Sequence, residues 1–76
     1  MIEEHEQVIL TTDIPEHQLR AGDVGTIVHV YSNRKGYELE IFGVDGHTVG
    51  VFSVFAGQVR PVKPQDVLHA RERAVD

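Results

Sequence analysis

Apolar and polar residues alternate along this chain in short runs separated by turn chemistry. Gln7 to Thr11 holds Val8, Ile9 and Leu10 at its centre and reads as a first strand. Val24 to Tyr31 is the clearest strand, because Thr26, Ile27, Val28, Val30 and Tyr31 are β-branched or aromatic and suit a half-buried pleated surface. Gly25 interrupts it, which marks a bulge or a close backbone approach. Tyr37 to Ile41 alternates cleanly, with Tyr37, Leu39 and Ile41 on one face and Glu38 and Glu40 on the other. Asp45-Gly46 signals a hairpin, and Thr48 to Val54 is its return strand. Phe55-Ala56-Gly57 reads as a corner with one turn of 3₁₀ helix, and Gln58 to Val62 as a short last strand limited by Pro61 and Pro64.

Between the first two strands runs a polar loop, Thr12 to Asp23, in which Pro15 forbids a ladder hydrogen bond and Gly22-Asp23 reads as a turn. Ser32 to Gly36 reads as a second loop. Five short strands with no convincing amphipathic helix predict an all-β chain: a small barrel or a strongly bent sheet. A long first loop, three meander strands, a one-turn corner and a short last strand is the order of a five-stranded SH3-like barrel. This domain is expected over residues 1–64, with a tail over 65–76. In the tail, Gln65 to Ala74 reads as a short helical turn or an arm, with Asp66 as its N-cap. Val8, Leu10, Val28, Val30, Leu39, Ile41 and Val51 are the expected core.

Composition narrows the picture. A domain of 76 residues buries only roughly 60% of the surface that its unfolded chain exposes. That leaves little room for a deep substrate cleft. The absence of cysteine excludes disulfides and thiolate metal sites. No apolar run approaches the roughly 18 residues needed to span a bilayer. The acidic start, Met1 to Glu6, lacks the basic and apolar regions of a signal peptide, so a cytoplasmic location is expected. The net charge is −5 and uneven: residues 1–23 carry six acids against the single base Arg20. That balance opposes phosphate backbones and suits a basic partner.

The segment Arg20-Ala21-Gly22-Asp23-Val24-Gly25-Thr26-Ile27-Val28 resembles the KOW-type SH3-like barrels of ribosomal and transcription proteins. A longer resemblance covers roughly residues 7–70, through Leu10-Thr11, Asp13-Ile14-Pro15-Glu16-His17, Leu19 to Val28, Tyr37 to Ile41 and Gln58 to Val62. On these segments the chain resembles a family of short bacterial proteins known as domain of unknown function 4926. The resemblance implies the fold and a bacterial cytosol, and it implies little about activity. Some members resemble the small partner in two-gene neighbourhoods suggestive of toxin and antitoxin.

Candidate chemistry is sparse. His5, His17, His29, His47 and His69 lie on separate loops and strands, so no metal site and no cofactor is expected. Ser32 and Ser53 sit on no nucleophile elbow, and Glu38 and Glu40 read as a solvated strand face. The chain is therefore expected to be non-enzymatic. The eleven residues from Asp13 to Asp23 stand above this background, because long loops on rigid scaffolds often carry binding. Asp13, Glu16 and Asp23, with His17, would attract a basic protein, and Ile14 and Leu19 would supply contact area. The aromatic groove that peptide-binding SH3 domains use looks poorly supplied, since several of the five aromatic residues must fill the core. A protein-binding module, an antitoxin-like or accessory partner of a basic protein, is the first reading. KOW-like nucleic-acid binding through Arg20, Arg34, Lys35 and Arg60 is the alternative, and self-pairing of a sheet edge is a third.

Overall fold

A computed structural model of the protein describes residues 2–43 and 47–66. Five strands form one antiparallel sheet: β1 (Gln7–Leu10), β2 (Val24–Val30), β3 (Gly36–Phe42), β4 (Thr48–Phe55) and β5 (Val59–Pro61). Their order is β4-β3-β2-β1-β5, so β4 and β5 are the edges. The strands agree with the sequence pattern to within a residue or two at each end. A 3₁₀ turn over Ala56–Gln58 joins β4 to β5, where the Gln58 carboxamide oxygen accepts the Phe55 N–H at 2.8 Å. The expected tip of the β3–β4 hairpin and the tail beyond Asp66 lie outside the described residues.

The inward face carries Val8, Leu10, Ile27, Tyr37, Leu39, Ile41, Val54 and Val59, all buried. Two of the expected core positions are otherwise placed. Val51 is 50% exposed, because the inward positions of β4 are Gly50, Phe52 and Val54. Period-two alternation allows only one of the two parities. In β2 the inward residues are Gly25 and Ile27, and Val28 is half-exposed. The register shifts between Ile27, opposite Leu39, and His29, opposite Glu38. Val28 is the extra residue of this bulge, and the shift returns Val30 to a position against the core.

Gly25 marks a close backbone approach, and the bulge lies three residues further on. A Cβ at Gly25 would sit 2.7 Å from the Glu40 carbonyl oxygen and 2.7 Å from the Leu39 side chain. Here β2 and β3 cross too tightly for any side chain.

The first loop is folded back into the sheet. Ile14 and Leu19 are 3% and 1% exposed and exchange backbone hydrogen bonds at 2.9 and 3.1 Å across a 3₁₀ turn, Pro15–His17. After β5, Asp66 caps its own turn. Its carboxylate accepts the Lys63 N–H at 2.7 Å and a bidentate pair from Arg60 at 2.9 and 3.1 Å. The Arg60 guanidinium, then the Lys63 amide, hold that carboxyl down at about 2.

Gly25→Ala should destabilise the fold by at least about 1–3 kcal/mol through overpacking. Gly57→Ala, with nothing within 4 Å of the new methyl, should be close to neutral. Urea denaturation of the two variants checks the contrast, and equal midpoints would contradict it.

Candidate functional site

The six loop residues picked out by sequence separate into two groups. Glu16 and His17 face outward, and the His17 ring lies 4.9 Å from the Phe52 ring. The other four are committed to the fold. Ile14 and Leu19 are core residues and offer no contact area to a partner in this conformation. Asp23 is 4% exposed, and its Oδ2 accepts the Arg20 N–H at 3.0 Å. Asp13 is exposed, yet its Oδ1 accepts the Ala21 N–H at 2.9 Å across the loop. These two aspartates are loop clamps. Sequence composition counts their charge and cannot tell a clamp from a free acid.

A different surface gathers exposed aromatic residues. A groove of about 410 Å³ runs between the 31–35 loop and the end of β4, lined by Tyr31, Asn33, Lys35, Gly36, Ser53 and Phe55 among others. Phe55 is 73% exposed and Tyr31 39%. Several of the five aromatic residues are expected in the core, and two are found there at least in part. Tyr37 is buried and Phe52 packs partly against the core, but Tyr31, Phe42 and Phe55 stay outside. The signal was their parity. Phe55 falls on the outward set of β4 with Val49, Val51 and Ser53.

Local chemistry fixes the groove's shape. Gly36 lies beneath the Tyr31 ring, since a Cβ there would stand 3.4 Å from a ring carbon and 3.0 Å from the Val54 carbonyl oxygen. The Tyr31 hydroxyl donates to Glu38 Oε2, and Ser53 Oγ donates to the same oxygen at 2.5 Å. The hydrogen bonds from Ser53, then from Tyr31, hold the Glu38 carboxyl below its ordinary range, with a smaller contribution from His29. A carboxylate stabilised in this way is a weaker base. The Tyr31–Glu38–Ser53 cluster anchors the ring at the mouth of the groove.

Two carboxylates lie near the loop that forms one wall of the groove, each against a basic side chain. Arg34 meets Glu3 at 3.8 Å, His29 meets Glu4 at 3.9 Å, and the His29 ring meets the Tyr31 ring edge-on at 5.2 Å. Among the described residues no three metal-ligating side chains come together. No helix among them is long and apolar enough to cross a membrane.

The geometry is that of a small all-β domain with an aromatic groove beside one sheet edge. The chain belongs to the family described as Domain of unknown function (DUF4926), whose family model matches residues 4–61. No curated protein and no solved structure matches it.

Ser53→Ala should raise the Glu38 carboxyl toward its ordinary value of 4.5, by removing the largest of the bonds that favour its charged form. Side-chain NMR titration reads this directly. An unchanged Glu38 midpoint would show that the cluster does not hold in solution.

Proposed function

We propose that the protein is a non-enzymatic protein-binding module that takes a basic segment of a partner in the Tyr31–Phe55 groove. The observation that carries this reading is the exposure of Phe55, an aromatic residue 73% exposed at the end of β4. Exposed aromatic residues beside a groove are the usual anchors of protein recognition. The net charge of −5 supplies long-range attraction for basic residues, with Glu3 and Glu4, beside Arg34 and His29, the nearest of the N-terminal acids to the groove's loop. The loop acids contribute less than their number suggests, because Asp13 and Asp23 are occupied, and Glu16 remains outward.

The strand order and the 3₁₀ turn ahead of β5 support an SH3-like barrel as the scaffold. An antitoxin-like or accessory role in the cytoplasm fits such a module and rests on the family resemblance alone. The nucleic-acid reading has weaker support. Of its four proposed bases, Arg34 and Arg60 each lie against a carboxylate.

The test compares the wild type with Tyr31→Ala/Phe55→Ala and with Glu3→Gln/Glu4→Gln against the partner captured from native cells. The aromatic pair should speed dissociation, while the neutralised pair should slow association and flatten its salt dependence. A generic DNA duplex should show no binding at physiological salt. Duplex binding near 1 µM, untouched by the aromatic variant, would overturn the reading.

A further inference from the structure

The two edges of the sheet are built differently. β5 is three residues long, contains Pro61, and is followed by Lys63 and Pro64. Arg60, in its middle, is held in the ion pair with Asp66. Shortness, proline and charge are the devices that keep a strand edge from pairing with another chain. β4 has none of these three, and its one irregularity is the register shift at Val49, between Gly50, opposite Ile41, and Thr48, opposite Phe42. It is eight residues long, Thr48–Phe55, with no charged residue and no proline. It pairs with β3 on one side, and no described strand pairs with it on the other. Its outward residues Val49 and Val51 are 47% and 50% exposed.

We propose that this edge is a homodimer interface, in which β4 of one copy pairs antiparallel with β4 of a second and joins the two sheets. The strand's own chemistry selects a second copy as the occupant. A basic partner steered by the protein's acids finds no charge along β4 to complement. A copy of the same neutral strand brings no like charge into the contact. Antiparallel pairing about a two-fold axis is self-complementary by construction. An axis at a residue within Gly50–Phe55, the part of the strand in unbroken register with β3, keeps the outward residues of both strands on the same face.

The overall negative charge does not forbid it. The nearest carboxylates on this face are Glu38 and Glu40 of β3, in register with Ser53 and Val51. Glu40 of one copy and Glu40 of the other are then at least three strand spacings apart, about 14 Å at about 4.8 Å each. That exceeds the about 8 Å screening length at physiological salt.

Area sets the strength. An eight-residue strand is about 27 Å long, and its edge covers far less than the roughly 800 Å² per partner of a standard tight complex. The dimer is therefore a concentration-dependent equilibrium and not an obligate assembly.

Sedimentation equilibrium of the full chain over a roughly hundredfold concentration range tests the proposal. The mass should rise from 8.5 kDa toward 17 kDa, twice the monomer mass. Val51→Lys puts two lysines near the axis and should weaken the dissociation constant at least tenfold, while Val51→Thr, which adds no charge, should retain the dimer. Circular dichroism confirms that both variants fold, as substitutions at a half-exposed site should. Hydrogen exchange supplies a second reading: β4 amides should gain protection with concentration in the wild type and not in Val51→Lys. A wild-type mass of 8.5 kDa throughout, or a dimer that folded Val51→Lys leaves intact, overturns the proposal.

Discussion

Ile14 and Leu19 are the pair on which this small fold depends. The open sheet order leaves β4 and β5 unjoined, and a domain of this size has few side chains with which to complete its core. Two of the eleven apolar side chains buried among the described residues come from the first loop. Full burial of an isoleucine or leucine is worth about 1.5–3 kcal/mol, against a total stability of about 5–15 kcal/mol for an ordinary domain. The loop is consequently part of the core. The bonds from Arg20 N–H to Asp23 and from Ala21 N–H to Asp13 hold its ends in the shape that delivers those two side chains.

That constraint redistributes function over the surface. A loop spent on closing the core has only its outward residues to offer a partner, here Glu16 and His17, and His17 already stacks near Phe52. The parity of β4, which sends Phe52 and Val54 inward, sends Val49, Val51 and Phe55 outward. One strand thus carries both of the unusual surfaces: the neutral edge along its length and the aromatic groove at its end. They are separable, since the groove is built with Tyr31 and Gly36 and the edge is not.

The strand positions were legible because β-branched runs and turn residues alternate without ambiguity, and β3 showed its faces through Glu38 and Glu40. Faces were less legible where a run is apolar throughout. Thr48 to Phe55 has valine at 49, 51 and 54 and phenylalanine at 52 and 55, so either parity makes a plausible inner face. In β2 the bulge at Val28 changes parity in mid-strand, which no local pattern announces. The loop misled for a different reason. Ile14 and Leu19 lie among polar residues five apart, matching neither the strand nor the helix period, and their partnership across a 3₁₀ turn depends on the whole fold. The aromatic groove was missed because counting aromatics does not say which of them the core consumes.

The most direct test of the structural claim is the stability of Leu19→Ala beside that of Leu39→Ala, measured by chemical denaturation at equal protein concentration. If the first loop is core, both variants lose about 2–5 kcal/mol, as buried leucines do when a cavity is left behind. A Leu19→Ala variant within about 0.5 kcal/mol of the wild type, the behaviour of a surface substitution, would contradict the account and return the loop to solvent.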